Sequence, residues 1–197
     1  MGGPARNWID YSAFVDLERD AVEKHEWFDG QVFAMAGGTF EHGALTANVI
    51  AELATLARAC GCRVFSSDVL VRVLATGLAT YPDASVVCGP VESDPANRNA
   101  MTNPSVLVEV LSDSTEAYDR GDKFEHCRAI ASLRDYVLVS QHRRRIEVFS
   151  SGADGRWTLA SAASGGRVEL TALGASLEVD RVFEGVELSE ATRPAVG

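Results

Sequence analysis

The sequence contains no apolar run approaching the roughly 18 residues that a membrane-crossing helix needs. Its first ten residues, MGGPARNWID, lack the basic-then-apolar order of a secretory leader. Arg6 stands where an N-myristoylation motif would carry Ser or Thr. These absences make a cytoplasmic protein without a membrane partner the expectation. Cysteine is scarce: Cys60, Cys62, Cys88 and Cys127 are all there are. Cys60 and Cys62 form a C-x-C pair, whereas zinc sites usually bring C-x-x-C spacing or nearby histidines. Free thiols in a reducing compartment are therefore expected. Lysine is scarcer still, with Lys24 and Lys123 the only two among 18 basic residues.

What is present is ordinary for a globular chain: 197 residues, 46% apolar and 23% charged. That length suits one domain with a full hydrophobic core. No repeat, low-complexity segment or linker divides it, so a single domain over residues 10–188 is expected, with flexible termini at 1–9 and 189–197. The formal net charge is −10. Phosphate affinity comes mainly from Lys and Arg, so a nucleic-acid partner would have to be received by a local patch rather than by the total charge.

The pattern of elements points to an α/β or mixed α+β domain built on one mixed sheet flanked by helices. Residues 10–24 read as a helix with Asp10 as N-cap. Asp29-Gly30, between aromatic and branched residues, marks a hairpin. Leu45, Val49, Leu53 and Leu56 recur at helical spacing between about 39 and 59, and Gly61 follows as a stop. The stretches CRVFSSDVLVRV, TYPDASVV and PSVLVEVLS are Val-rich and bounded by turn residues, as strands are. A helix over about 119–132 then leads to a hairpin around Gln141 to Arg144, a WTLASA strand and a C-terminal VDRVFEGV segment.

Two acids stand out. Asp83 follows Pro82 at the start of the apolar run Ala84-Ser85-Val86-Val87, and Glu109 interrupts Val106-Leu107-Val108 and Val110-Leu111. A carboxylate in such a run is costly to bury unless paired or metal-bound. Two on adjacent strands would suit Mg²⁺, which takes a couple of carboxylates plus water and substrate phosphate. Either acid alone could also be a partly solvated strand end. Lys123 is the third element: its compact ammonium could position water or stabilise charge on a phosphate, or simply be a solvated helix residue.

These residues fall in four ordered blocks: Lys24-His25-Glu26-Trp27-Phe28-Asp29-Gly30, Tyr81-Pro82-Asp83, Val108-Glu109-Val110-Leu111-Ser112, and Ser114 through Lys123. Together they resemble the Uma family, grouped with restriction endonucleases in the PD-(D/E)xK nuclease superfamily, from about Tyr11 to Val186. The resemblance implies a restriction-endonuclease-like core with a central mixed β-sheet, and Mg²⁺ (or Mn²⁺) bound by Asp83, Glu109 and the Val110 carbonyl. It implies Glu26 as an additional acid, DNA as the nucleic-acid partner, products with a 5′-phosphate and a 3′-hydroxyl, and a homodimer. The superfamily lysine would fall two residues after the second acid, where this chain has Leu111. Lys123, in the following helix, takes the place to which similar proteins move it.

Secondary candidates are His42, near the start of the second helix; Asp68, at a sheet edge; the Ala36-Gly37-Gly38-Thr39 turn, which lacks the Gly-Lys-Ser/Thr of a P-loop; and the basic triplet Arg143-Arg144-Arg145. No Gly-x-Ser-x-Gly elbow is present. Two rivals to a metal-dependent endonuclease remain open: a nuclease-fold binding protein without turnover, and a phosphodiesterase acting on small nucleotides.

Overall fold

The computed structural model describes residues 8–35 and 37–188. The first helix, α1 (Tyr11–Asp20), begins where Asp10 Oδ1 accepts the Ala13 N–H at 2.8 Å. It stops four residues earlier than its sequence pattern, because Ala21 turns extended and Glu18 takes the His25 N–H, steering the chain into a hairpin. That hairpin, β1 (His25–Phe28) and β2 (Gln31–Ala34), closes at Asp29 and Gly30, both at positive φ as a tight two-residue turn requires. Ahead of it, Ile9 is held by the Gly30 carbonyl and by the Trp27 indole. Helix α2 (Phe40–Ala59) is capped by Thr39 and buries Leu45, Val49, Leu53 and Ala57 on one face. Gly61, at φ +71°, reverses the chain after it.

The middle of the chain is short strands: β3 (Cys62–Ser66), β4 (Leu70–Arg72), β5 (Ala79–Thr80), β6 (Ala84–Cys88), β7 (Ser93–Asp94), β8 (Asn97–Met101) and β9 (Val106–Leu111). Two short helices follow, α3 (Glu116–Arg120) and α4 (Asp122–Cys127). Then come β10 (Asp135–Ser140), β11 (Arg145–Ser151), β12 (Trp157–Ala163), β13 (Arg167–Leu170), β14 (Ala175–Glu178) and α5 (Val179–Val182). The helix expected over 119–132 is thus two pieces broken at Gly121. Among the described residues no helix is long and apolar enough to cross a membrane.

One mixed sheet was the expectation; there are two, each six-stranded, plus a two-stranded ribbon of β13 and β14. One sheet runs β2-β1-β5-β4-β8-β7, the other β12-β11-β10-β9-β6-β3. The stretches that read as single strands are the ones that change sheets. CRVFSSDVLVRV breaks near Ser67-Asp68 into β3 and β4, and TYPDASVV breaks at Tyr81-Pro82-Asp83 into β5 and β6. Proline has no N–H to give a ladder, so the chain leaves one sheet there and joins the other.

In the second sheet β9 and β10 are parallel neighbours, while the other pairings are antiparallel. Alternation along β9 sends Val106, Val108 and Val110 towards α2 and the C-terminal elements, and Leu107 and Leu111 towards the opposite core with Tyr136, Leu138 and Cys127. Glu109 shares their face. Buried Asp135 ties the C-terminal ribbon to β10 by accepting from Ser150, Thr171 and the Ala172 N–H at 2.7–2.8 Å.

The expectation of free thiols fails for two of the four. Cys62 and Cys88 face each other across β3 and β6 and are joined as a disulfide. Adjacent antiparallel strands bring directly opposed residues to within about 4.5–5.5 Å, close enough for a bridge that spacing along the chain did not announce. Cys60 is an exposed thiol and Cys127 a buried one. Thiol labelling of the unreduced protein should therefore modify one cysteine at once, a second only on denaturation, and the remaining two only after reduction. Four thiols in the unreduced, denatured chain would contradict the bridge.

Candidate active site

Asp83 occupies the bend where the chain passes from β5 to β6. Its Oδ2 accepts the Val110 N–H at 2.7 Å, which latches the bend onto β9 one residue beyond Glu109. The same oxygen lies 3.4 Å from Nε2 of His42 in the first turn of α2. The Thr39 hydroxyl fixes that turn by accepting the His42 N–H at 3.2 Å. The hydrogen bond to Asp83 raises the imidazole pKa, against desolvation, and the Asp83 charge and the Val110 backbone add to the rise.

Glu109 is brought to its partners by topology. Parallel strands need a crossover connection, and here the crossover from β9 to β10 carries α3 and α4. Lys123, on α4, places Nζ 2.9 Å from Glu109 Oε1, 3.3 Å from Glu26 Oε1 and 3.5 Å from Asp119 Oδ1. Its side chain is 5% exposed. Phe124 anchors α4 against Tyr136, Phe149 and Trp157, with ring centroids 4.3–5.3 Å away. Tyr136 also donates its hydroxyl to the Asp119 carbonyl at 2.9 Å. Glu26 arrives from β1, and its Oε1 accepts a short hydrogen bond from the Thr80 hydroxyl on β5. Leu111, at the position where the superfamily pattern has lysine, is buried in the apolar cluster under α4. Hydrocarbon fills that place, and the ammonium descends from the helix above.

The electrostatics are lopsided. Four carboxylates (Glu26, Asp83, Glu109 and Asp119) gather around one ammonium and one imidazole. Burial pushes the Glu109 carboxyl well above its ordinary range, Lys123 opposes that push, and Asp119 and Asp83 reinforce it. Asp119 is raised for the same first reason. Burial alone would depress Lys123, but the attraction of Glu109, Glu26 and Asp119 outweighs it and the ammonium is held well above its usual pKa. Glu109 Oε1 lies 2.9 Å from the Lys123 ammonium, and among the described residues no well-aligned hydrogen bond satisfies it.

Surplus negative charge, an acceptor oxygen with unused capacity and hard oxygen donors fit a divalent cation of the Mg²⁺ type. Asp83 and Glu109 are the pair that would hold it, with Val110 between their contacts. Among the described residues no three carboxylate or imidazole ligand atoms lie within 4.8 Å of one another; the one such trio is sulfur. A two-carboxylate site does not need a third protein side chain, since Mg²⁺ keeps several waters.

Of the secondary candidates, His42 joins the cluster. Asp68 does not: it is exposed and paired with Lys24 at 2.6 Å. Arg143 and Arg144 are exposed at the β10–β11 turn, and Arg145 pairs with Glu147. Ala36 of the glycine turn lies outside the described residues. Sequence reasoning missed Asp119 and Thr80. Asp119 had a signal, four residues before Lys123, the spacing that pairs side chains on a helix. Thr80 had none, since only the β1–β5 contact aims it at Glu26.

Three comparisons bear on this geometry. A family model described as "Uma2: Putative restriction endonuclease" matches residues 11–189. Two proteins of Synechocystis sp. are similar along most of their length. The "Uncharacterized protein slr1290" is 35% identical over 173 residues, covering 88% of this chain and 90% of its own. The "Uncharacterized protein sll1609" is 30% identical over 146 residues, covering 74% and 82%. A crystal structure from Anabaena variabilis, described as a "putative nuclease belonging to DUF820", superposes with a TM-score of 0.68 at 14% identity, covering 86% of this chain and 96% of that one. It shows the shared fold.

Two stability measurements check the charge balance. Lys123→Met leaves buried Glu109 and Asp119 and half-buried Glu26 without their common cation and should cost about 3–5 kcal/mol. Glu109→Gln should do the reverse in chelator at neutral pH. Because the folded-state pKa values of Glu109 and Asp119 are raised, the folded chain binds protons more tightly than the unfolded one. Stability therefore falls as pH climbs above the ordinary carboxylate range. Glu109→Gln removes its share of that loss, so its melting temperature should exceed wild type near pH 7 and converge with it near about pH 4. A variant less stable than wild type at pH 7 would mean that Lys123 needs Glu109 more than Glu109 costs.

Proposed function

The chain belongs to the Uma2 family, and from that premise we propose that it is a Mg²⁺-dependent endonuclease that hydrolyses phosphodiester bonds of DNA at a PD-(D/E)xK-type site. The observation that carries the reading is the approach of Lys123 to Glu109 at 2.9 Å, beside an Asp83 latched to the neighbouring Val110. It supports two acids and a lysine in one place despite Leu111.

In this reading Asp83, Glu109 and the Val110 carbonyl would hold Mg²⁺ or Mn²⁺. When bound, the ion supplies Lewis acidity towards the phosphodiester and the attacking water. Lys123 orients that water through its ammonium and offsets charge building on the phosphate. Glu26 and Asp119 keep the ammonium protonated and in place. His42 approaches from the positive end of α2, where the backbone N–H groups favour an anion such as the scissile phosphate. Attack by water would leave a 5′-phosphate and a 3′-hydroxyl. Cutting both strands of a duplex needs two such sites, so a homodimer is the assembly this reading implies.

The net charge of −10 favours one alternative, a phosphodiesterase acting on small nucleotides, which needs less basic surface than a duplex does. The deciding assay follows cleavage of plasmid, linear duplex, single strand and a dinucleotide with Mg²⁺ or Mn²⁺, for wild type, Asp83→Asn and Lys123→Ala. Metal-dependent cutting of the polymers, lowered at least about 100-fold in each variant whose circular dichroism stays native, is the expected result. Cleavage of the dinucleotide alone would select the small-substrate reading. Undiminished cutting by Asp83→Asn would overturn the site.

A further inference from the structure

A second constellation lies at the far ends of the elements that build the candidate site. Asp83 precedes β6 and Cys88 ends it; His42 opens α2 and Cys60 follows its last residue. Cys62 begins β3, which pairs with β6 and bridges to Cys88. The three sulfur atoms all lie within 4.8 Å of one another, and Cys60 Sγ stands 3.2 Å from Cys62 Sγ. Gly61 allows this crowding: at φ +71°, a conformation that L side chains rarely adopt, it folds the Cys-Gly-Cys link back on itself.

Two chemistries use three close sulfurs. In thiol–disulfide exchange the attacking sulfur lies nearly in line with the bond it breaks. With a bond of about 2.05 Å and the 3.2 Å gap, a line would hold the outer sulfurs roughly 5.2 Å apart. The outer sulfurs lie within 4.8 Å, short of that line. Around a metal ion the demand is a triangle instead: Zn–S bonds near 2.3 Å place thiolates roughly 3.7–4.0 Å apart. With the bridge opened, the trio starts within 4.8 Å, and side-chain rotation would have to widen its closer pairs to that spacing.

The surroundings favour a cation as well. Cys60 Sγ lies 3.3 Å from the Ala57 carbonyl and 3.8 Å from that of Leu56, among the last carbonyls of α2. The C-terminal end of a helix carries partial negative charge and attracts a positive ion. On the other side Cys88 Sγ faces the Ala172 carbonyl at 3.9 Å. Of the nearby guanidinium groups, that of Arg63 is turned to the Gly89 carbonyl and that of Arg58 belongs to an exposed residue in the last turn of α2.

We infer that Cys60, Cys62 and Cys88 form, when reduced, a three-thiolate site for a thiophilic closed-shell cation, Zn²⁺ with a water as fourth ligand or Cu⁺ with none. Reduction needs a dithiol. The Cys62–Cys88 bond takes two electrons and two protons to become two thiols, and the dithiol closes to its own disulfide. Metal binding then forms three metal–sulfur bonds and releases three protons, without electron transfer. Disulfide and metal are alternative staples for the same three elements, one tying β3 to β6, the other adding the end of α2.

The test uses the full chain, reduced and freed of reductant under anaerobic conditions, against the same chain kept oxidised. Co²⁺ serves as the spectroscopic probe, because thiolate ligands give an intense charge-transfer absorption that carboxylates do not. Zn²⁺ and Cu⁺ are titrated in competition with a chromogenic chelator. The reduced chain should bind one equivalent with the thiolate signature, or retain one Cu⁺, while the oxidised chain shows neither. Cys60→Ser, at an exposed position, should weaken binding by more than about 100-fold, since even an outer-shell partner is worth about 10–100-fold. Cys127→Ser and Asp83→Ala should leave the signature unchanged, which separates this site from the acidic one. A reduced chain with no thiolate signature and no retained Cu⁺, or a signature undiminished in Cys60→Ser, would overturn the assignment.

Discussion

The buried ammonium of Lys123 is the contact on which the rest of the acidic cluster depends. It sits among carboxylates from β1, β9 and α3, three elements that share no ladder with α4. Removing a cation from such a place exposes each acid to a low-dielectric interior, where an unpaired charge costs several kcal/mol. The pairing therefore holds the crossover helices down on the sheet. It also leaves the cluster short of positive charge, because four acids face one lysine and one histidine. A native fold that tolerates such an imbalance has bought it with apolar packing nearby, here the Phe124 rings and the Leu107–Leu111–Tyr136 core.

The second constraint is the strand that changes sheets. Pro82 lies at the break where the chain leaves β5 in one sheet for β6 in the other, and Asp83 fastens that break by taking the Val110 N–H. One carboxylate thus closes a backbone break and faces the cluster at the same time. The bend also sets Thr80 beside Glu26 in one sheet while Ala84 pairs with Val108 in the other. The two sheets meet along this line, and the proposed site lies at their junction, where residues of both can converge without sharing a strand.

Helix α2 links the two ends of the molecule. Its first turn presents His42 to Asp83, and its last turn presents Cys60 to the Cys62–Cys88 bridge. At 1.5 Å per residue the helix spans about 30 Å. The face between them is anchored on the second sheet by Leu45, Val49, Leu53 and Ala57. The sulfur trio and the acidic cluster are therefore separate sites attached to one rigid element.

Local chemistry could be read along the chain, and distances could not. Asp10 as a cap, Asp29-Gly30 as a turn, the apolar stripe of α2 and the hairpin at 141–144 each depend on a few consecutive residues, and each stands where its pattern put it. Asp83 and Glu109 were legible because an acid inside an apolar run is costly wherever the chain goes. The sheet exchange at Pro82, the division of CRVFSSDVLVRV between two sheets and the Cys62–Cys88 bridge were not, because each depends on which strands become neighbours. For Lys123, singled out in the sequence, and Asp119, which was not, it was the contacts that could not be read. Sequence supplied a rare lysine and an acid four residues before it; only the parallel pairing of β9 with β10, and the crossover it imposes, decided that both would be lowered onto Glu109.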